Sequence, residues 1–167
     1  GAQAVRARTI SDGLFLTVYL APPDYHRVHM PVEGTLEEMV HVPGRIFSVS
    51  PATTETIPRL FTRNERVVAR FGTPMGPMAL VLVGAMLVAS IQTRWHGVVT
   101  PPSGRRIRTW SYPDPGSSAP FFRKGEEVAR FNLGSTVIVL LPRETFRWQE
   151  ELTPGQSVRM GQCLGYG

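Results

Sequence analysis

Apolar residues fall in short runs punctuated by glycine and proline, and the 3.6-residue spacing of an amphipathic helix is poor almost throughout. The runs LFLTVYL (14–20), GTLEEMV (34–40), GRIFSV (44–49), RVVARF (66–71) and MALVLV (78–83) read as strands. Further strands are expected at 85–91, 97–99, 106–110, 127–131, 136–141 and 157–160. Several of these runs are continuous and β-branched, which predicts burial on both faces. The stretch PATTETIPRLFTRN (51–64) is the best place for a short helix, since Thr53 or Thr54 can cap a turn that Pro58 then stops. SYPDPGSSAPFFRKGEE (111–127) reads as a long loop of the kind that often carries function.

A chain of 167 residues buries one core comfortably and two poorly, so residues 1–167 are expected to form a single, mainly β domain of short strands with few short helices. The pieces PVEGTLEEMVHVPGRIFSV and LTPGQSVRMGQCLG each set a glycine turn between two short strands, and the Gly-Gln-x-Leu-Gly ending is similar to that of barrel-sandwich hybrid domains such as lipoyl carriers. The expected architecture is therefore barrel-sandwich-hybrid-like. The modified lysine that carriers show at the hairpin tip has no counterpart here.

Charge narrows the partners. There are 18 basic residues against 13 acidic ones, and Lys124 is the single lysine. A pI near 10.1 favours an anionic partner. Only Arg105, Arg106 and Arg108 cluster, and no basic stripe interleaved with aromatics appears, which argues against nucleic acid. The lone Cys163 rules out an intrachain disulfide and suits a reducing compartment. The longest apolar stretch, MALVLVGAMLVASI (78–91), is shorter than the roughly 18–20 residues of a membrane-crossing helix and is broken by Gly84. Gly1 stands where a Met would, so a fragment or a processed chain is expected.

Two places carry candidate chemistry. His26 and His29 follow the Pro22-Pro23-Asp24 turn, and imidazole is the side chain best suited to proton transfer near neutral pH. In extended chain the two rings face opposite sides; in a helical turn they share one. His41, His96 and Cys163 add no zinc or iron spacing, so no metal is expected. Gly134-Ser135-Thr136 is either a turn opening the strand 136–141 or a reactive serine, although the Gly-x-Ser-x-Gly elbow of hydrolases is missing.

Four blocks in one order, DYHRVHMPVEG with His26 and His29, PGRIFSVSP, LFTRNERVVARF and RFNLGSTVIVLL, together resemble phosphatidylserine decarboxylases of the bacterial and mitochondrial type. The likeness runs from about Phe15 to Gly165 and takes in GPMALVLVGAMLVASIQT (76–93) and VTPP (99–102). It implies self-cleavage between Gly134 and Ser135, leaving a β chain of residues 1–134 and an α chain of residues 135–167. A hydroxyl that follows a scissile carbonyl can attack it through a five-membered ring and turn the peptide into an ester, and glycine keeps that carbonyl open. Base-promoted β-elimination and loss of ammonia then turn Ser135 into a pyruvoyl group, the covalent cofactor.

In the family that ketone takes up the amine of phosphatidylserine and accepts the electrons released as CO2 leaves, so that phosphatidylethanolamine results. By the same resemblance His29 matches the histidine of a Ser-His-Asp arrangement that drives cleavage, and His26 matches one implicated in decarboxylation. The family's aspartate lies in a Pro-x-Asp-Gly motif upstream of the histidines. Asp12 and Asp24 sit in no such motif, so a chain lacking that motif and the family's membrane-attaching N-terminal helices is expected. Ala89 stands where the family often has glycine, a change expected to be tolerated.

The implied partners are phosphatidylserine in an anionic membrane, at the cytoplasmic face of a bacterial cell, and the two chains of the processed enzyme, with room for a homodimer. IPRLF (57–61) and APFF (119–122) either touch the acyl region or cap the core. A reading of another class is a non-catalytic module that binds anionic lipid or a partner protein through its arginines; it predicts that Ser135→Ala leaves function untouched.

Overall fold

Burial alternates strictly along residues 66–71 of the main sheet, whereas 78–83 is buried almost continuously, as its unbroken apolar run predicts. In RVVARF, Val67, Ala69 and Phe71 are buried while Arg66, Val68 and Arg70 between them keep partial contact with solvent. This period of two is what one-sided burial of a strand demands. A computed structural model of the chain describes residues 13–86, 90–100, 106–112, 119–132 and 134–167.

The strands are β1 (Leu14–Leu20), β2 (Arg27–His29), β3 (Gly34–Val42), β4 (Arg66–Thr73), β5 (Gly76–Val83), β6 (Ile91–Thr93) and β7 (Gly97–Val98). They continue as β8 (Arg108–Ser111), β9 (Phe121–Phe122), β10 (Glu127–Phe131), β11 (Ser135–Leu141), β12 (Arg147–Trp148) and β13 (Gly165–Tyr166). Two short helices, α1 (Pro51–Thr56) and α2 (Leu60–Arg63), lie between β3 and β4. The mainly β class with few short helices is what the structure shows, and its sheets are open.

The largest sheet has seven strands in the order β1-β11-β5-β4-β3-β8, with β9 also on β3, and every pairing is antiparallel. A second sheet runs β2-β10-β6-β7, and β12 pairs with β13. The β4–β5 hairpin closes at Thr73 and Gly76, where Gly76 takes a φ of 97° and Thr73 Oγ1 donates to its carbonyl at 2.6 Å. One core joins both large sheets: Leu36, Phe71, Leu80 and Val137 from the first, Val28, Ile91, Val128 and Phe131 from the second. Trp95 meets Phe71 edge-on at 6.0 Å and donates its indole N–H to Met39 Sδ.

Three sequence expectations need correction. Residues 44–49 form no strand, only a bridge between Arg45 and Asn64. Gly44 is pressed so closely on the backbone of residues 63–65 that a Cβ would meet Arg63 O at 2.5 Å, and Asn64, itself fully buried, takes over the hydrogen bonding of this segment. It accepts from Phe47 N at 3.1 Å and donates to Phe47 O at 2.9 Å and Gly84 O at 3.0 Å. Residues 157–160 are turn and loop, and the C-terminal pairing is made by β12 and β13 instead. In α1 the N-cap is Ser50, with Pro51 in the first turn, and Thr53 and Thr54 lie inside the helix.

The strand expected at 85–91 is in part outside the described residues, as are Ala89 and most of the proline-rich half of the loop 111–127; β6 starts at Ile91 and β9 occupies 121–122. Ile57, Phe61 and Phe122 pack against the core, whereas Phe121 is exposed. Among the described residues, no helix is long and apolar enough to cross a membrane.

Candidate active site

Ser135 opens β11, an interior strand flanked by β1 and β5. Its Cα partner across the sheet is Leu20, the last residue of β1. The chain leaving β1 therefore turns beside Ser135, and the turn is made by Ala21 to Asp24: Ala21 N donates to Asp24 Oδ2 at 2.7 Å and Asp24 N to Ala21 O at 2.9 Å. That reversal brings His26 onto Gly134. Phe131 N donates to His26 O at 2.9 Å, fastening the two segments together.

Gly134 has a φ of +24°, in the region that favours glycine. Space is not the reason for the glycine, because a Cβ would meet Leu20 O and Pro22 Cγ only at 3.7 Å. Ser135 is fully buried, and among the described residues its hydroxyl has no hydrogen-bond partner. Thr136 shares both properties. A buried hydroxyl without a partner is costly by about 1–3 kcal/mol, and sites that store such a cost are often sites of chemistry. Asn132, two residues before Gly134, donates its amide to Ser90 Oγ and so ties the approach to the serine to the chain entering β6.

His26 Nε2 lies 3.0 Å from Pro22 O and 3.3 Å from Gly134 N. One ring nitrogen cannot donate and accept at once. With the proton on Nε2 the ring donates to Pro22; with it on Nδ1, Nε2 accepts from Gly134 N–H. Nδ1 is buried and has no hydrogen-bond partner among the described residues. The ring thus touches the residue whose carbonyl precedes Ser135 and keeps one nitrogen uncommitted.

His29 lies elsewhere. Its Nδ1 is 2.8 Å from Gly125 O and its Nε2 2.8 Å from Tyr25 Oη, with the two rings stacked at 5.7 Å. A carbonyl only accepts, so Nδ1 carries the hydrogen and Nε2 receives the phenol O–H. His26 lies just before β2, which covers Arg27–His29, and the two rings have no partner in common. His26 and Ser135 are brought to either side of Gly134, while neither histidine is hydrogen-bonded to Ser135 Oγ.

Beside His29, whose Cα partner is Glu127, Arg27 Nη1 meets Glu127 Oε2 at 2.6 Å. That hydrogen bond holds the Glu127 carboxyl below the usual carboxylate range and raises the Arg27 guanidinium. Sequence reasoning missed Tyr25, Asn132 and the carbonyls of Pro22 and Gly125. Only Tyr25 left a trace in the sequence, standing four residues before His29. Among the described residues no group of three His, Cys, Asp or Glu is placed to hold a metal.

Ser135 thus opens an interior strand of an antiparallel sheet, buried, with no hydroxyl partner among the described residues, directly behind a glycine at a φ of +24°. The chain belongs to the phosphatidylserine decarboxylase family, whose profile matches residues 2–166. It is 57% identical over 99% of its length to a phosphatidylserine decarboxylase proenzyme of Ectopseudomonas mendocina. It is 51% identical over 98% to that of Idiomarina loihiensis and 55% identical over 100% to that of Pseudomonas fluorescens. The chain spans 57%, 56% and 58% of those relatives' lengths respectively.

Proposed function

We propose that this chain is the catalytic part of a proenzyme that cleaves itself between Gly134 and Ser135 and then decarboxylates phosphatidylserine to phosphatidylethanolamine. The observation that carries this reading is the Ser135 hydroxyl, buried and without a partner, directly after Gly134 at a φ of +24°. The donor set fits a group made from the chain itself: a serine at the scissile position, a preceding residue with no side chain, and an imidazole against it.

In the precursor Ser135 Oγ attacks the Gly134 carbonyl, the C–N bond breaks, and an ester joins the two residues with a free amine on Ser135. Removal of the Ser135 α-proton expels the Gly134 carboxylate and leaves an alkene; water then replaces the nitrogen, which departs as ammonia. A base is needed for the hydroxyl proton and again for the α-proton, and His26 is the imidazole nearest the bond. The pyruvoyl group, once formed, supplies an electron sink for loss of CO2.

The chain's own residues do the remaining work. β11, held between β1 and β5, anchors the new N-terminus after the backbone breaks, so that residues 135–141 stay in the sheet as the α chain begins. Burial of Ser135 keeps bulk water from the reacting carbon. In this reading His26 returns the proton that the substrate carbon needs after CO2 departs, which its contact with Gly134 N supports, while His29 with Tyr25 keeps one fixed tautomer.

The same reading sets the protein on the cytoplasmic face of a bacterial membrane with phosphatidylserine as substrate, and it accommodates a homodimer of processed protomers. Denaturing mass spectrometry tests the central claim. The expected result is two polypeptides divided between Gly134 and Ser135, the smaller blocked at its N-terminus. A single uncleaved chain from the full-length precursor, together with no CO2 release, overturns the reading.

A further inference from the structure

The outer face of the β2-β10-β6-β7 sheet carries more positive charge than its own groups can neutralise. Arg27 on β2 is in register with Arg130 on β10, which is in register with Gln92 on β6. Directly opposed residues share a face, and like charges so placed repel. Arg94 follows β6 in the turn to β7, its backbone held by Arg94 N donating to Val128 O at 2.9 Å, and it lines the same hollow as Gln92 and Arg130.

Among the described residues one carboxylate serves this group. Glu127 is taken by Arg27 at 2.6 Å. Arg130 Nε is held by a neutral partner, Gln92 Oε1, at 2.8 Å, which orients the guanidinium and leaves its outer N–H groups unused. Among the described residues the Arg94 guanidinium has no hydrogen bond or ion pair. The fields of Arg94 and Arg130 still reach Glu127, whose carboxyl both help to hold down.

These groups surround a cavity of about 210 Å³, lined by Gln92, Arg94, Gly97, Glu127 and Arg130 among others. The hollow is half open to solvent and has room for a small polar headgroup. The lining contains neither Ser135 nor His26. Gly97, at a φ of +78°, follows the β6–β7 turn and lines one side.

We propose that this cavity binds the headgroup of an anionic aminophospholipid, with Arg94 and Arg130 on the phosphate and carboxylate and Glu127 facing the ammonium. A guanidinium presents a planar fork suited to both anions. The carboxylate at the rim disfavours a bare dianion and favours a ligand that carries an amine with its negative charges. The identity of the ligand as a phosphoserine headgroup rests on the decarboxylase reading; the anion site itself does not.

The probes are glycerophosphoserine and inorganic phosphate, titrated calorimetrically into the Ser135→Ala full-length precursor so that no turnover intrudes. Glycerophosphoserine binds more tightly than phosphate, and Glu127→Gln narrows that preference. Arg94→Gln with Arg130→Gln weakens glycerophosphoserine at least tenfold, whereas Arg159→Gln, an equal loss of charge on another exposed loop, changes it less than twofold. Arg130→Lys keeps the charge, loses the fork and weakens binding several-fold.

Binding unchanged in the double variant overturns the proposal. So does Arg130→Lys binding as tightly as Arg130, which marks a diffuse field, or phosphate matching glycerophosphoserine. A precursor that binds the headgroup but, with Ser135 restored, releases no CO2 refutes the decarboxylase reading and leaves the site standing.

Discussion

The phenol of Tyr25 lies 2.8 Å from Nε2 of His29 and its ring stacks on the imidazole, while Gly125 O receives the opposite nitrogen at 2.8 Å. Both ring nitrogens of His29 are therefore spoken for, and the tautomer is set by a backbone carbonyl and a neighbouring hydroxyl. Tyr25→Phe keeps the stack and removes the O–H. The expected outcome is a several-fold slower cleavage or turnover with a stability loss near 1 kcal/mol, the ordinary worth of one hydrogen bond. Nitrogen-15 spectra of the labelled imidazole should show Nδ1 protonated before and after the change, with only the Nε2 resonance displaced. Rates identical to wild type at every pH would make the phenol a bystander.

Ser135→Ala removes a hydroxyl that is buried and without a partner. Loss of such a group relieves a desolvation cost, so the precursor should melt at the same temperature or higher while cleavage and decarboxylation are both abolished. Ser135→Cys or Ser135→Thr retains a nucleophile and should cleave slowly. Calorimetry beside denaturing electrophoresis separates these outcomes; a large drop in melting temperature would mean that the hydroxyl supports the fold.

Gly134→Ala tests backbone strain at the scissile residue. At a φ of +24° any side chain is disfavoured, by about 1–2 kcal/mol, although the space itself is free. The substituted residue should rotate toward negative φ, moving its carbonyl away from Ser135 Oγ. Slower cleavage with a stability loss no larger than that is expected from a time course of precursor conversion and a urea melt.

Asn64 offers a purely structural test. Its fully buried amide satisfies Phe47 N, Phe47 O and Gly84 O. Asn64→Ala leaves all three backbone groups unpaired in the interior, at about 1–3 kcal/mol for each one that water does not reach. The segment between β3 and α1 should loosen first, visible as faster amide exchange at Phe47, before any effect on Ser135 chemistry.

The pH dependence follows from Glu127. Arg27 holds its carboxyl below the ordinary value of 4.5, so the folded state binds this proton less readily than the unfolded state. The pair contributes stability above that value, and the contribution fades as pH falls through the lowered one. The raised Arg27 guanidinium stays charged throughout this window and adds no slope of its own. Glu127→Gln should therefore flatten the acid limb of a melting-temperature profile below about pH 4.5 and change little at the acid extreme. The pair is exposed, so the effect is small and shrinks further in high salt.

Much of this protein was decided locally. The runs at 14–20, 66–71, 78–83 and 127–131 became β1, β4, β5 and β10: in 66–71 the alternation fits a pleated strand with one side in the core, and in 78–83 the continuous apolar run fits a strand buried on both faces. FNLGSTVIVLL likewise announced both a strand and the glycine and serine in front of it, since a left-handed turn and a reactive hydroxyl each restrict the residue type. Residues 44–49 carry an equally strand-like pattern, yet the crowding of Gly44 against residues 63–65 and the reach of Asn64 override it. Those contacts join positions 17 or more apart, to which a short window of sequence is blind.

The site divides in the same way. The residue types at 26, 29, 134 and 135 were legible. Only the tertiary structure decided that pairing Leu20 with Ser135 swings His26 onto Gly134, and that extended geometry over Arg27–His29 turns His29 toward Tyr25 and Gly125. The reason is geometric: sequence specifies which groups can do the chemistry, whereas the distance from the His26 ring to a backbone N–H 108 residues away is set by strand register.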